Sequence, residues 1–108
     1  MKYQTNLLER YLDTFGMKLE KEFKFCINRK FKSDYAILPW RLLIEIDGGC
    51  WQKKSRHFYG TGAIKDMEKN NLAMIYGFQV LHFTPEQFRK TQCVEWLEMW
   101  RKNRGKCD

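Results

Sequence analysis

The stretch SDYAILPWRLLIEIDGGCW, which covers residues 33–51, decides the fold. It predicts two β-strands, over 32–38 and 41–47, because two apolar runs are separated by residues that favour turns. Pro39 and Trp40 lie between the runs, and we interpret them as a two-residue hairpin loop. Side chains alternate between the two faces of a strand, so the register of this hairpin decides which residues share a face.

Three carboxylates converge at one end of the predicted hairpin. In the register set by a two-residue loop, Ala36 lies opposite Leu43. Asp34 then lies opposite Glu45, and Asp47 projects from the same face. Like charges at opposed positions need a cation or a shared proton, and hard carboxylate oxygens suit Mg²⁺ or Mn²⁺ rather than Zn²⁺. A register shifted by one residue leaves one carboxylate facing water instead, and spacing alone does not decide between the two.

The composition predicts a small, basic domain. The chain has 108 residues, which suits one domain over 1–108, and 44% of them are hydrophobic. No apolar run is long enough to span a membrane and residues 1–9 do not resemble a signal peptide, so we expect a cytoplasmic protein. The four cysteines form no Cys-x-x-Cys pair, which argues against a structural zinc site. The net charge of +7 favours a polyanionic partner, most simply nucleic acid.

The rest of the chain predicts alternating helices and strands. The expected helices cover 5–15, 63–76 and 84–101, and further strands cover 23–27 and 78–83. The order strand–helix–strand from 41 to 83 is a βαβ unit, so its second strand should run parallel to its first. Thr84 to Gln87 has the residues of a capping box at the start of the last helix.

Two charged residues on the predicted helices have alternative interpretations. Glu9 either interacts favourably with the helix N-terminus or adds a fourth acidic group near the sheet. The helix over 63–76 is expected to bury a stripe formed by Ile64, Met67, Asn71 and Ile75. Lys69 lies on a neighbouring face, where it either meets solvent or points back at the carboxylates.

A basic and aromatic segment follows the carboxylates, from Cys50 to Gly62. Lysine, arginine and histidine can hold phosphates, and aromatic rings can stack on bases. We therefore predict DNA contacts at Trp51, Lys53, Lys54, Arg56, His57 and Tyr59, joined by Lys65 on the next helix. The alternative is a solvated loop pinned by a few buried rings. His57 would be a phosphate contact, a general base or an ordinary surface imidazole.

The whole pattern resembles the PD-(D/E)XK nuclease superfamily. The resemblance rests on five pieces in order: Ser33–Ala36, Leu43–Gly49, Arg56-His57, the Asp66-x-x-Lys69 spacing and Gly77–Phe83. It implies an α/β (α+β) fold with an αβββαβ core, a mixed four-stranded sheet and a C-terminal helix. Within the superfamily, the chain is most similar to small single-domain relatives of the very-short-patch repair endonucleases and to short phage-encoded endonucleases.

The resemblance also implies a metal-dependent endonuclease that hydrolyses phosphodiester bonds in DNA. Asp34 matches the first metal-binding aspartate of the superfamily, and Glu45 matches the acid of the (D/E)XK element. The backbone carbonyl of Ile46 would be a further ligand of Mg²⁺, for which Mn²⁺ can substitute. Glu9 matches the acidic residue often found on the first helix of the superfamily, and by that match it joins the expected metal site.

One departure from the superfamily pattern concerns proton transfer. Asp47 lies where the superfamily usually has a lysine, and it would either add a metal ligand or position His57. By the same resemblance, Lys69 on the following helix would replace the missing lysine, with Lys65 in reserve. The small size favours a nicking, mismatch-directed or branched-structure-directed enzyme, which would cut duplex DNA as a homodimer or by two nicks.

Two other functions compete with the nuclease. The first is a nucleic-acid-binding module that keeps the nuclease fold and does not cut, which the aspartate at position 47 supports. It predicts DNA affinity with a steep salt dependence and no metal-dependent product. The second is a structural or inhibitory phage protein that binds a host enzyme, for which the sequence offers no specific motif.

Overall fold

The structure is a computed structural model that describes residues 6–47 and 61–104. Its elements in chain order are α1 (Asn6–Asp13), β1 (Glu20–Lys24), β2 (Lys32–Ile37), a 3₁₀ turn (Leu38–Trp40), β3 (Leu42–Ile46), α2 (Thr61–Ile75), β4 (Gln79–Phe83), α3 (Pro85–Arg89) and α4 (Gln92–Asn103). The described residues thus form a mixed α/β fold, as the sequence predicts.

The strands form a mixed four-stranded sheet in the order β1-β2-β3-β4. The first three strands make an antiparallel meander, and β4 runs parallel to β3. The parallel pairing predicted from the βαβ order is therefore confirmed. It brings the carboxyl ends of β3 and β4 to the same edge of the sheet, where Ile46 pairs with Phe83.

The hairpin between β2 and β3 has the predicted register but not the predicted loop. Ala36 pairs with Leu43, as expected. The connection is a 3₁₀ turn followed by Arg41, whose φ is 52°. A two-residue hairpin loop needs a positive φ at its first position, and the ring of Pro39 fixes φ near −65°. The chain therefore takes a longer turn and places the left-handed residue at its end.

Two apolar cores cover the two faces of the sheet. The larger core joins α1, α3 and α4 to one face, with Leu12, Ile37, Ile44 and Leu97 fully buried in it. The smaller core joins α2 to the other face, and its buried residues are Phe25, Cys26, Ala36, Leu43, Ala73 and Phe78. Residues that alternate with the larger core along β2 and β3 therefore face α2.

The first strand begins earlier than the sequence predicts. β1 covers Glu20–Lys24 rather than 23–27, and Ile27 is 85% exposed. Phe25 and Cys26 are buried, but they follow the strand and fill the smaller core. Of the alternating residues Phe25 and Ile27, only Phe25 is buried, so the apolar alternation predicted neither the end of the strand nor the burial of its last residue.

The expected core stripe of α2 is wrong. Ile64, Met67 and Ile75 are at least half exposed, and the helix packs on the sheet through the face that carries Ala73. The small side chain of Ala73 lets the helix approach Leu43 and Ala36 closely. The same orientation turns Lys69 toward the sheet, because residues four apart lie on one side of a helix.

The predicted C-terminal helix is two helices. The capping box at Thr84 is confirmed, since its hydroxyl accepts from the Gln87 N–H and the Gln87 side chain accepts from the Thr84 N–H. α3 then ends at Arg89, and α4 begins at Gln92. Phe88 and Leu97 are nine residues apart, which places them on opposite sides of a continuous helix. The break lets both side chains reach the larger core.

We expect Gly77→Ala to destabilise the fold by about 1–2 kcal/mol through backbone strain. A clash of the new methyl group with Arg41 should add to this loss. Gly77 has a φ of 87°, and an added Cβ would lie 3.1 Å from the Arg41 guanidinium, which donates hydrogen bonds to the carbonyls of Tyr76 and Gly77. Gly16→Ala is the matched control, because Gly16 has a φ of 67° and open space around it. In urea unfolding, Gly77→Ala should lose more free energy of unfolding than Gly16→Ala. Equal losses would show that the contact with Arg41 does not contribute.

A charged cluster joins α1 to α4 and should make stability depend on pH. Arg101 and the Tyr11 hydroxyl donate hydrogen bonds to Glu98, and together they lower the pKa of Glu98 to about 2. A lowered carboxyl pKa contributes stability above the ordinary value of 4.5, and that stability is lost as the pH falls toward about 2. We therefore expect Glu98→Gln to flatten the acid limb of a stability–pH curve, whereas the exposed Glu95→Gln should leave it unchanged.

Candidate active site

Four titratable side chains of the sheet meet on the face that α2 covers. Asp34 and Glu45 lie two residues from Ala36 and Leu43, which belong to the smaller core. Continuing the register from that pair places Asp34 opposite Glu45. His82 on β4 pairs with Glu45 in the parallel ladder, and Asp47 follows β3 directly. The side chains therefore converge where β3 and β4 end.

Asp34 is held in place by the backbone of the neighbouring strand. The regular pairing of β2 with β3 reaches Tyr35 and Ile44. Two residues further along β3, the N–H of Ile46 donates a hydrogen bond to Asp34 Oδ2 at 2.7 Å. The Asp34 carboxylate thus accepts a hydrogen bond from Ile46, a β3 residue that lies beyond the last pair between β2 and β3. This charge-assisted bond fixes the direction of the Asp34 side chain.

Glu45 is a buried carboxylate paired with a lysine from α2. The residue is 8% exposed, and its Oε2 lies 2.9 Å from Lys69 Nζ. Burial raises the pKa of Glu45, and the lysine partly offsets that rise. The negative charges of Asp34 and Asp47 raise it further. The site therefore holds more negative charge than one ammonium group balances.

Asp47 and His82 form a second pair beside the first. His82 Nδ1 lies 2.5 Å from Asp47 Oδ2, and both side chains are less than half exposed. The hydrogen bond to Asp47 raises the pKa of His82, and burial opposes that rise. The sequence alone indicates no role for His82. The parallel register of β3 and β4, which follows from the βαβ order, was the signal that could have placed it beside Glu45.

The donor set suits a hard divalent cation. Asp34 and Glu45 each use one oxygen in the contacts above, and each keeps a second oxygen with no hydrogen-bond partner within residues 6–47 and 61–104. No group of three Asp, Glu, His or Cys side chains in those ranges is arranged to hold a metal. Mg²⁺ is nevertheless commonly held by one or two carboxylates, with waters and substrate phosphates completing its shell. Asp34, Glu45 and the Ile46 carbonyl are the groups that would hold it.

Other residues expected at the site lie elsewhere or outside the described ranges. Glu9 on α1 forms an ion pair of 3.9 Å with Lys21 on β1, and α1 packs on the opposite face of the sheet. The structure therefore does not bring Glu9 to Asp34. Lys65 is exposed on α2. Trp51, Lys53, Lys54, Arg56, His57 and Tyr59 lie outside the described residues.

Comparison of the chain with protein-family models, with curated proteins and with solved structures finds no match. The helices of the described part of the chain are all too short or too polar to cross a membrane.

Proposed function

We propose that this protein is a metal-dependent DNA endonuclease with a PD-(D/E)XK core. The observation that supports the proposal is a buried Glu45 with Lys69 from the crossover helix at 2.9 Å, beside an Asp34 carboxylate that accepts the N–H of Ile46. Two opposed carboxylates and a lysine on one face of a sheet are the groups that phosphodiester hydrolysis needs. The observed order of helix, three strands, helix and strand is also that of the superfamily.

Each residue has a distinct task in this proposal. Asp34 and Glu45 would hold the cation, and the hydrogen bond from Ile46 fixes the direction of the Asp34 side chain. When bound, Mg²⁺ neutralises phosphate charge and lowers the pKa of a neighbouring water. Lys69 stabilises the negative charge that develops on the phosphate oxygens during attack. The burial of Glu45 strengthens these electrostatic interactions, because the local dielectric is low.

DNA as the substrate rests on charge and on the position of the basic residues. The chain carries 20 Lys and Arg against 13 Asp and Glu, although the site itself is acidic. The basic and aromatic segment 50–62 connects β3, which carries Glu45, to α2, which carries Lys69. On this proposal, the lysine, arginine and aromatic residues of the segment hold the phosphates and bases of the strand that is cut. The small size suits nicking, or recognition of mismatched or branched DNA, and a homodimer would cut both strands.

A non-cleaving DNA-binding module is the second candidate function. The observation in its favour is that Lys69 already balances Glu45, while Asp47 occupies the position of the usual lysine and is held by His82. These two pairs offset part of the negative charge without a metal, so the site needs no cation to fold. Such a module would bind DNA with a steep salt dependence and release no product.

One experiment separates the two candidates. Labelled linear duplex, single strand, mismatched duplex and four-way junction are incubated with the protein in Mg²⁺, in Mn²⁺ and in EDTA. Cleavage that needs the metal and disappears in Glu45→Gln supports the endonuclease, and the preferred substrate defines its role. Salt-sensitive binding without cleavage of any of the four would overturn the endonuclease in favour of the binding module.

A further inference from the structure

The two edge strands of the sheet, β1 and β4, differ in how they present themselves to another chain. β1 has the sequence EKEFK, in which four of five residues are charged, and its Glu22 has a φ of 49°. Charged side chains and a local kink are common means by which an edge strand avoids pairing with a further strand. β4 has the sequence QVLHF, which contains no Asp, Glu, Lys or Arg and no left-handed residue. The sheet thus has one edge that resists pairing and one that is suited to it.

Two residues of β4 direct their backbone polar groups away from β3. The Phe83 carbonyl accepts a hydrogen bond from the Asp47 N–H, and the N–H of Gln79 donates to the residue that precedes β3. The odd-numbered residues of β4 therefore bond toward β3. Because these directions alternate along a strand, Val80 and His82 point their N–H and C=O groups to the outer edge.

An apolar groove lies between β4 and α4, on the face of the sheet that carries the larger core. Trp96 and Met99 are 42% and 59% exposed in it. The Trp96 ring packs on Phe83, and the Trp100 indole N–H donates a hydrogen bond to Gln79. These contacts hold both tryptophans beside the outer edge of the sheet. The residues that line the groove are Leu81, Trp96, Met99, Trp100 and Asn103.

A second copy of β4 fits this edge in an antiparallel register centred on Leu81. When Leu81 lies opposite Leu81 of the second copy, Val80 lies opposite His82 on both sides of that pair. Each Val80–His82 pair then exchanges two hydrogen bonds, since these are the residues whose polar groups point outward. The register uses every outward group of Val80 and His82 and opposes no like charges.

The same two-fold axis brings the two α4 helices together. Paired residues of antiparallel strands point to the same face, so the two Leu81 side chains meet on the face that carries α4. Each copy then presents Trp96 and Met99 to the other copy. Aromatic residues and methionine are enriched at protein interfaces. One isologous contact would therefore cover both the strand edge and the exposed apolar side chains beside it.

We propose that the protein forms a homodimer through β4 and α4, in which the two sheets join into one continuous sheet. The occupant is a second copy because β4 is complementary to itself in hydrogen bonding and in charge. The inference gives a surface to the homodimer of the proposed function, and it rests on that function only for the use of the dimer in cutting both strands. Association needs neither DNA nor metal, so either proposal can fail without the other.

The test follows association and amide exchange of the full chain over a series of protein concentrations, in EDTA and without DNA. Sedimentation should show a monomer–dimer equilibrium. Hydrogen exchange at Val80 and His82 should slow as the dimer forms, because their N–H groups become bonded. The N–H of Leu81 bonds toward β3 and should be protected at every concentration.

A pair of variants locates the interface. Met99→Lys places two ammonium groups in the apolar contact and should raise the dissociation constant of the dimer by about 30-fold or more. Met74→Lys is the matched control, because Met74 is a methionine on α2 that is 77% exposed. It should leave the dissociation constant unchanged.

The wild-type protein alone can overturn the inference. A monomer at every concentration would do so, and so would a dimer in which Val80 and His82 exchange as fast as in the monomer. Protection of these two amides in a monomer would show that another segment of the same chain pairs with this edge instead. A dimer weakened by Met74→Lys and not by Met99→Lys would move the interface to α2. DNA cleavage by a strict monomer would remove the dimer and leave the endonuclease in place.

Discussion

Asp34→Asn should abolish cleavage while leaving the fold and DNA binding largely intact. The substitution halves the negative charge available from the opposed pair and replaces one carboxylate oxygen with an amide nitrogen, which cannot hold a cation. Loss of several kcal/mol of charge stabilisation corresponds to a rate decrease of about 10³-fold or more. The remaining amide oxygen can still accept the hydrogen bond that Ile46 donates to Asp34 in the wild type, so the local backbone should persist.

The measurement is the single-turnover rate in Mg²⁺ and in Mn²⁺, with binding to uncut DNA followed in EDTA. Asp66→Asn is the matched control, since Asp66 is an exposed aspartate on α2 with no described ion pair. Calorimetric titration with Mn²⁺ should show binding to the wild type and to Asp66→Asn, and weaker binding to Asp34→Asn. Wild-type cleavage by Asp34→Asn would remove this residue from the site.

Lys69→Met should destabilise the protein by about 1–3 kcal/mol near neutral pH, the range for leaving a buried polar or charged group without its partner. Lys69 is the group that lowers the pKa of Glu45, and burial, Asp34 and Asp47 all raise it. Without the lysine, that pKa rises further. At pH values between 4.5, the ordinary pKa of a glutamate, and the raised pKa of Glu45, the folded state binds more protons than the unfolded state. The free energy of unfolding of Lys69→Met therefore falls as the pH increases through this range.

Glu45→Gln and the double variant Glu45→Gln/Lys69→Met complete the cycle. Glu45→Gln leaves the Lys69 ammonium without its carboxylate, but the Lys69 side chain is 22% exposed and can reach water, so the loss of stability should be smaller than in Lys69→Met. On the proposed function, the same substitution should abolish cleavage. The double variant should recover most of the loss caused by Lys69→Met, because no unpaired buried carboxylate remains. Denaturant unfolding at acidic, neutral and alkaline pH provides the values. Additive effects of the two substitutions would show that the pair at 2.9 Å does not interact energetically.

The sequence predicted the elements that place the site because local signals and topology agreed there. The interpretation of Pro39 and Trp40 as a short loop predicted the observed register, whereas spacing alone left a one-residue shift open, and the βαβ order predicted the parallel pairing of β3 with β4. The loop itself was misjudged, since Pro39 is incompatible with a two-residue turn. A longer turn that ends in a left-handed Arg41 preserves the same register. The wrong loop prediction therefore did not change which face of the sheet carries the carboxylates.

The errors on the helices have a different cause. Apolar spacing on α2 indicated a stripe at Ile64, Met67 and Ile75, but the helix turns the side with Ala73 and Lys69 to the sheet. Hydrophobic periodicity measures only how apolar a face is. It does not register that a small residue permits close packing or that a lysine is drawn to a buried carboxylate. These tertiary effects decided the orientation.

His82 could not be assigned from its own neighbours in the sequence. It is a lone histidine in an otherwise ordinary strand, and its partner Asp47 is 35 residues away. Only the pairing of β4 with β3 brings the two together. The segment 48–60, which carries most of the predicted DNA contacts, lies outside the described residues, so those contacts remain a prediction.

The hydrogen bond between the Ile46 amide and Asp34 also provides an NMR signal that reports whether a cation is bound at the site. An amide proton held by a carboxylate has a chemical shift that depends strongly on the charge of that group. A cation on Asp34, or a proton in its place, would weaken the bond from Ile46 and move its resonance. One backbone signal should therefore follow the loading of the site in solution, even in variants that no longer turn over.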